Sequence, residues 1–277
     1  MEDAALQAAA RVRVTLIVGA GDTGKTTLTV RLAGALAARG ERVAVVDADV
    51  GQSEIGPPTT VGLGRVTGAL ARLGDAEPLA LEFVGDTSPA RYIRETADAT
   101  GRLVRRALDT GFTRVLVDTG GMIEGPLALA LKRAKARAVD PDLVLVLQQR
   151  DESEPIARAL EGGARPVVVR LAPSPAIVRR TATRRREHRE HALRDYFAGA
   201  KAVTLDPARV RLTDRRGATP VEAVGEGLLL GVLDAGGETL GIARVRSVEG
   251  GRIIIETPVP AGRIAGLRVG RATWRPA

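Results

Sequence analysis

The sequence predicts an α/β fold, in which a parallel sheet carries helices on both faces and is followed by a small β-rich domain. Apolar runs without polar alternation recur through about the first 200 residues, and helical segments separate them. This pattern is typical of a parallel sheet that is buried on both faces. Beyond that point, short β-rich runs with glycine turns replace it. We therefore divide the chain into residues 1–200 and 201–277.

The first elements surround a glycine-rich turn. Residues 12–18 (VRVTLIV) are expected to form a buried strand, and residues 25–39 a helix that ends at Gly40. Residues 42–47 are expected to form a second buried strand. The segment 56–65 (GPPTTVGLGR) is rich in glycine and proline, which indicates an irregular functional loop.

The remaining elements alternate along the chain. Helices are expected at 90–110, 125–138, 153–161 and in the strongly basic segment 179–194, and strands at 113–118, 142–148 and 165–171. In the smaller domain, turns at 234–237 and 249–251 indicate antiparallel hairpins.

Composition excludes several classes of site. The chain has no cysteine and only two histidines, so disulfides, iron–sulfur clusters and thiolate zinc sites are excluded, and a multi-histidine metal site is not expected. The start of the chain lacks the regions of a signal peptide, and no apolar run approaches the ~20 residues that span a bilayer. We therefore expect a cytoplasmic protein with no membrane partner.

The charge balance favours an anionic partner. Lys and Arg number 41 against 33 Asp and Glu, a net charge of +8, which suits phosphates or nucleic acid, although a generic basic surface explains it equally well. Only four of the 41 basic residues are Lys, and Asn is missing from the sequence. These biases fit a thermophile, and a GC-rich genome would also favour Arg over Lys. Because aromatic residues are scarce, nucleic acid would be held mainly by Arg and backbone amides.

Residues 19–26 (GAGDTGKT) match the phosphate-binding pattern G-x-x-x-x-G-K-[ST], between a predicted strand and a predicted helix. Glycines let backbone N–H groups turn towards phosphate oxygens, and the helix N-terminus adds its dipole. Lys25 is expected to reach the β- and γ-phosphates and the Thr26 hydroxyl to bind Mg²⁺. The expected phosphate-contacting set is Gly19, Gly21, Asp22, Thr23, Gly24, Lys25, Thr26 and Thr27. This motif predicts a P-loop that binds a nucleoside triphosphate; without Asn, a guanine-reading N-K-x-D loop cannot form, so ATP is expected.

Two carboxylates are expected near the γ-phosphate. Asp49 follows the second strand, and Asp118 ends another buried strand in the run VLVDTGG. Ligands of open α/β sheets bind at the carboxyl ends of the strands, so either residue could bind Mg²⁺ directly or through water. Asp49 is our candidate for the carboxylate that accepts the proton of an attacking hydroxyl. The alternative for Asp47 and, less so, for Asp49 is a cap on the following turn.

Several runs together resemble the polynucleotide 5′-hydroxyl kinase family, which includes the kinase subunit of the eukaryotic pre-mRNA cleavage factor and archaeal and bacterial relatives. These runs are GAGDTGKTT, DADVGQSEIGPPTT, FVGDTSP (83–89), VDTGG (117–121) and VRRTATRRREHREHALRDYF (178–197). The run GLLLGVLDAGGETLGIARV resembles the small β domain of archaeal members. The resemblance covers nearly the whole chain. It implies a P-loop NTPase fold that transfers the γ-phosphate of ATP to the 5′-OH end of RNA or DNA, with Mg²⁺.

The resemblance also assigns roles to residues around the P-loop. Lys25 and Thr26 would serve ATP and Mg²⁺, Asp49 would lie next to the incoming 5′-OH, and Gln52 would support the metal or the substrate. The family's clasp, which grips a substrate phosphate, falls on Thr119, Gly120 and Gly121. Thr87 and Ser88 are candidate substrate contacts in the 83–89 loop. Met122 stands where many relatives carry an aromatic residue, so base stacking is not expected there.

The basic helix corresponds to the family's lid, about residues 175–198, whose arginines close over the ATP phosphates. The lid pattern falls on Val178, Arg180, Thr181 and Arg185, which implies that Arg180 and Arg185 act on the phosphates. The other arginines of the helix alternate with glutamates and are equally well explained as a solvated surface.

Two further functions remain open at this point. One is a scaffold that holds ATP and nucleic acid without turnover, and the other is a P-loop ATPase or small-molecule kinase. The second alternative explains the P-loop and Asp118 but not the lid arginines together with the net charge of +8.

Overall fold

The structure is a computed structural model that describes residues 2–173 and 181–276. Within these residues the α-helices are α1 (Glu2–Ala9), α2 (Lys25–Ala37), α3 (Ile93–Asp109), α4 (Gly125–Val139), α5 (Glu154–Leu160) and α6 (Ala182–Phe197). The strands are β1 (Val14–Gly19), β2 (Val43–Ala48), β3 (Thr60–Val66), β4 (Glu77–Phe83), β5 (Arg114–Thr119), β6 (Leu143–Leu147), β7 (Val167–Leu171), β8 (Lys201–Leu205), β9 (Arg211–Asp214), β10 (Gly217–Ala218), β11 (Leu228–Leu233), β12 (Thr239–Glu249), β13 (Arg252–Thr257) and β14 (Gly266–Thr273). None of the helices in this part of the chain is both long and apolar enough to cross a bilayer.

Five parallel strands form the centre of the first half, in the order β2-β5-β1-β6-β7. Successive residues of β1 point to opposite faces, so Leu16 packs with α3, α4 and α5, whereas Ile17 packs with α1 and α2. This arrangement confirms the prediction of a parallel sheet that is covered on both faces. It also brings the carboxyl ends of β1, β2 and β5 side by side.

The prediction of an irregular loop over 56–65 is wrong in its second half, because β3 pairs antiparallel with β2 and β4 there. Glycine in this strand serves tertiary packing. A Cβ built on Gly62 would lie 1.9 Å from the Ile55 carbonyl oxygen, and one on Gly64 would lie 3.0 Å from Ile55 Cδ1. The two glycines therefore let the buried Ile55 lie directly on the strand. α1 and β4 are further elements that the sequence analysis did not assign.

The second half is β-rich, as expected. The predicted turns join β11 to β12 and β12 to β13, and both pairs are antiparallel. β9 departs from the expected pattern because it pairs parallel with β14. These strands enclose an apolar cluster of their own, and β12 also pairs with β4 at Thr239 and Leu81, so the sheet continues from one half into the other.

The basic segment forms α6, which confirms the helix prediction from residue 182 onward. Thr181 caps the helix, since its side chain accepts a hydrogen bond from the Arg184 amide at 3.2 Å. Arg180 and the rest of 174–180 lie outside the described residues, so the roles expected of Arg180 and of this part of the lid remain predictions.

Candidate functional site

The P-loop folds as a tight turn between β1 and α2. Asp22 and Gly24 adopt positive φ angles of 57° and 85°, a region that Asp tolerates and that glycine adopts freely. Thr23 Oγ1 donates to the Ala20 carbonyl at 2.9 Å and so fixes the turn. A Cβ on Gly19 would lie 2.5 Å from the Leu147 carbonyl oxygen, so the loop also packs closely on β6. The turn leads into the N-terminus of α2, which favours anion binding.

Lys25, the first residue of α2, is held inside this turn. Its ammonium donates to the Ala20 carbonyl at 2.5 Å, and its side chain is buried. Burial lowers the pKa of Lys25, while the carboxylates of Asp118, Asp49 and Asp22 oppose this shift. The ammonium therefore lies among the carboxylates that the sequence placed near the γ-phosphate.

Thr26, at the start of α2, is in contact with Asp118, near the end of β5. The Thr26 hydroxyl donates to Asp118 Oδ2 at 2.6 Å, whereas Asp118 Oδ1 is buried and has no hydrogen-bond partner among the described residues. Burial raises the pKa of Asp118 to about 6, although Lys25 and the Thr26 hydroxyl act in the opposite direction. An unpartnered buried carboxylate oxygen next to a hydroxyl suits Mg²⁺ or a water molecule of its shell.

A magnesium site here would take few ligands from the protein. Among residues 2–173 and 181–276, no group of three or more His, Cys, Asp or Glu side chains is arranged to bind a metal ion. Mg²⁺ commonly binds one or two carboxylates and takes its other ligands from phosphates and water. The pair of Thr26 and Asp118 fits that mode of binding.

Asp49 lies immediately after β2, at the same edge of the sheet. Its Oδ1 accepts hydrogen bonds from the backbone amides of Gly51 at 3.1 Å and Gln52 at 3.2 Å. A Cβ on Gly120 would lie 3.1 Å from Asp49 Cγ, so the carboxylate packs against the backbone after β5. Oδ2 has no hydrogen-bond donor in the described part of the chain and remains available to accept a proton.

Asp47 has a structural role in the same loop. Its carboxylate accepts hydrogen bonds from the amides of Asp49 at 3.1 Å, Glu54 at 2.6 Å and Ile55 at 3.1 Å. Burial, followed by the charge of Asp118, raises the pKa of Asp47 to about 8. These bonds confirm the turn-capping alternative for Asp47. The amides of Gly51 and Gln52 show that Asp49 also caps its turn, through Oδ1.

The glycines after β5 bring two loops together. A Cβ on Gly121 would lie 2.4 Å from the Gly21 amide nitrogen, so the VDTGG turn is in backbone contact with the P-loop. Thr119 is buried, and its hydroxyl donates to the Ile17 carbonyl at 2.7 Å. The substrate-binding role expected of Thr119 stays a prediction, since this hydroxyl is bonded within the sheet.

Two buried lysines of α4 were missed by the sequence analysis. Lys132 Nζ donates to Thr119 Oγ1 at 2.9 Å and to the Gly120 carbonyl at 2.6 Å, and Lys135 Nζ donates to the Ala48 carbonyl at 2.6 Å. Burial lowers the pKa of Lys135 to about 8 and that of Lys132 well below its usual range. The signal was present in the composition, because three of the four lysines of an arginine-rich chain converge on this site.

The 83–89 loop and Gln52 lie beside the turn that follows Asp49. A Cβ on Gly51 would lie 2.7 Å from the Thr87 carbonyl oxygen, so this loop touches the turn that follows Asp49. Gln52 Nε2 donates to the Arg185 carbonyl at 3.1 Å, while its Oε1 is buried and has no hydrogen-bond partner in the part of the chain that the structure describes. Ser88 is exposed, and its backbone amide donates to Asp86 at 3.1 Å.

Arg185 lies over the P-loop. Its Nη2 contacts Asp22 Oδ2 at 2.6 Å, and a Cβ on Gly21 would lie 2.8 Å from the same nitrogen. The structure thus brings Arg185 to the phosphate-binding turn, whereas Thr27 points to the exposed side of α2. The roles assigned to these residues by sequence remain predictions, but their side chains share one site.

Comparisons with known proteins agree with this geometry. Residues 19–199 match the family model described as the mRNA cleavage and polyadenylation factor CLP1 P-loop. Polyribonucleotide 5′-hydroxyl-kinases of Pyrococcus horikoshii and Pyrococcus furiosus are 36% and 38% identical over 198 and 199 residues, which is 72% of this chain and 53% and 54% of theirs. The chain therefore spans about half the length of the curated relatives it matches.

A similar fold is found in a solved structure. The wild-type Clp1p–Pcf11p complex contains a chain that superposes with a TM-score of 0.73 at 14% identity, covering 94% of this chain and 74% of that one. This likeness extends the fold comparison beyond residue 199, into the β-rich second half. On the match over residues 19–199, the chain belongs to the family of the mRNA cleavage and polyadenylation factor CLP1 P-loop.

Proposed function

We propose that the protein is an ATP-dependent kinase that phosphorylates the 5′-OH end of RNA or DNA. The observation that carries the proposal is the position of Asp49, which packs against Gly120 beside the P-loop and whose Oδ2 accepts no hydrogen bond from the described residues. The turn that Asp49 caps uses only Oδ1, which leaves the other oxygen for the proton of an attacking hydroxyl. The names of the archaeal relatives, polyribonucleotide 5′-hydroxyl-kinases, support the same reaction.

Different residues of the site have different roles in phosphoryl transfer. The P-loop amides and Lys25 bind the β- and γ-phosphates, and Arg185 adds planar donors from the other side. Asp49 accepts the proton of the 5′-hydroxyl as its oxygen forms a bond to the γ-phosphorus. The bond between the γ-phosphorus and the β,γ-bridging oxygen breaks, and ADP leaves with that oxygen. Such a reaction depends mainly on positioning and on charge stabilisation.

Thr26 and Asp118 are the residues that would hold Mg²⁺. The bound ion would neutralise charge on the β- and γ-phosphates. The buried Asp118 Oδ1, which no donor in residues 2–173 or 181–276 reaches, supports this assignment.

The test is transfer of label from γ-³²P-ATP to short 5′-OH RNA and DNA oligonucleotides in the presence of Mg²⁺. We expect Asp49→Asn to abolish labelling while ATP binding persists. Asp109→Asn is the matched control, because Asp109 is an exposed carboxylate at the end of α3. Failure of the unmodified protein to label either oligonucleotide, despite binding ATP, would overturn the kinase and favour an ATP-holding scaffold.

A further inference from the structure

The C-terminal end of α6 is joined to the β-rich half by an apolar cluster. We call it the aromatic anchor; its buried members are Phe83, Leu193, Phe197, Leu229, Ile242 and Trp274, and Tyr196 packs against them. Four of the six aromatic residues of the chain lie in or against this cluster. Aromatic side chains bury large, rigid surfaces. The chain has few of them, and most lie at the contact between α6 and the β-rich half.

Specific contacts fix the geometry of the aromatic anchor. The rings of Phe197 and Trp274 stack with centroids 5.2 Å apart and planes 13° from parallel. Trp274 Nε1 donates to Glu190 Oε2 at 2.9 Å, and the Ile242 amide donates to Tyr196 Oη at 2.8 Å. Directional hydrogen bonds therefore add to apolar packing, and α6 is held in one orientation on the β-rich half.

The other end of α6 reaches the phosphate-binding turn. Arg185 pairs with Asp22 there, and Gln52 binds the Arg185 carbonyl. Arg185 and Phe197 are 12 residues apart in one helix, which corresponds to about 18 Å along the helix axis. A rigid helix thus connects the aromatic anchor to the P-loop.

Within the described residues, the apolar burial of α6 is confined to the aromatic anchor. Its buried residues are Leu193 and Phe197, both members of the aromatic anchor, and the first turns of the helix are mostly exposed. Burial of apolar surface is the main source of packing energy for a helix. The position of α6 is therefore set chiefly by the β-rich half.

We propose that the β-rich half acts as a positioning element for nucleotide binding, because the aromatic anchor fixes α6 so that Arg185 lies over the P-loop. Trp274, Phe197 and Tyr196 are positioning residues in this role, because they lie at the end of α6 that is opposite to Arg185. The inference rests on the proposed function in that it takes the P-loop as the ATP site, but it does not depend on the acceptor.

The test is a double-mutant cycle between Trp274→Leu and Arg185→Ala, with affinity for a fluorescent ATP analogue and Mg²⁺ as the readout. We expect Trp274→Leu to weaken binding about tenfold in the Arg185 background and to have little further effect in Arg185→Ala, because coupled residues are not additive. Phe197→Leu should behave in the same way and provides a second variant if Trp274→Leu does not fold.

Ile255→Ala is the matched control, since Ile255 is fully buried in the separate apolar cluster of the β-rich half. It should lower the melting temperature without weakening nucleotide binding. A loss of affinity equal to that of Trp274→Leu, or full additivity in the cycle, would overturn the inference. Nucleotide binding is measured without an oligonucleotide, so the test stands even if no 5′-OH end is phosphorylated.

Discussion

The Lys132 ammonium donates to the Gly120 carbonyl oxygen at 2.6 Å, from a side chain that has no exposed surface. Gly120 in turn packs against Asp49, and the adjacent Gly121 packs against the P-loop. A lysine in the interior of α4 therefore supports the turn that contacts both Asp49 and the P-loop. Lys132 does not face solvent, so its contribution is to the position of this turn.

We expect Lys132→Met to reduce kcat for phosphoryl transfer about a hundredfold, because small displacements of reacting groups have effects of that size. Methionine preserves much of the volume but leaves the Gly120 carbonyl and the Thr119 hydroxyl without their donor. Lys201→Met is the control, since Lys201 is exposed at the start of β8. Steady-state kinetics and melting temperatures would be measured for both variants, and an unchanged kcat in Lys132→Met would contradict the role.

Apolar runs and the P-loop motif, which are local signals in the sequence, predicted several of the strands and the helix α2. The buried runs of β1, β2 and β6, and the helix that follows the P-loop, were placed to within a few residues. β3 was missed because Gly62 and Gly64 reflect the approach of Ile55, a tertiary contact that no periodicity records.

In the candidate site as well, the residues within local motifs were predicted, and those placed by tertiary packing were not. Lys25, Thr26 and Asp118 come from motifs that carry their own structural context, and the structure brings them together. Lys132 and Lys135 belong to an ordinary-looking helix, and only the packing of α4 on the sheet places them beside Thr119 and Ala48.

Asp47 is expected to make stability depend on pH. Burial is the main cause that raises the pKa of Asp47 to about 8 in the folded state, from its ordinary value of 3.8. The folded state therefore binds more protons than the unfolded state between these values, and this contribution to stability is lost as pH rises from about 4 to about 8. We expect Asp47→Asn to remove this fall in the free energy of unfolding. Across the interval the fall amounts to a few kcal/mol, since one pKa unit corresponds to about 1.4 kcal/mol.

Denaturant unfolding at several pH values would measure that slope, with Asp109→Asn as the control for loss of an exposed carboxylate. Equal slopes in the unmodified protein and in Asp47→Asn would show that Asp47 titrates normally in the folded state.

Gly121→Ala is expected to disrupt nucleotide binding. Its Cβ would lie 2.4 Å from the Gly21 nitrogen and 2.5 Å from the Gly21 Cα, so the P-loop backbone must shift. Overpacking of this kind costs about 1–3 kcal/mol. Where this cost falls on the ATP-bound arrangement of the P-loop, it corresponds to a loss of ATP affinity of roughly five- to a hundredfold. Gly68→Ala is the control, because a Cβ there meets no atom within 4 Å. Titration with a fluorescent ATP analogue checks both variants, and normal affinity in Gly121→Ala would show that the contact is not required.

Thr26→Val is expected to raise the Mg²⁺ concentration needed for half-maximal activity. Valine keeps the shape of the side chain but removes the hydroxyl that bonds Asp118 at 2.6 Å, and loss of a group that binds or orients a metal ligand commonly costs ten- to a hundredfold in metal affinity. Thr67→Val is the control, because Thr67 is exposed immediately after β3 and lies away from the P-loop edge of the sheet. Activity would be titrated with Mg²⁺ at saturating ATP. A higher half-maximal Mg²⁺ concentration in Thr26→Val alone would support a metal at this pair. The same half-maximal concentration in both variants would remove Thr26 from the metal site and leave Asp118 and Asp49 as its candidates.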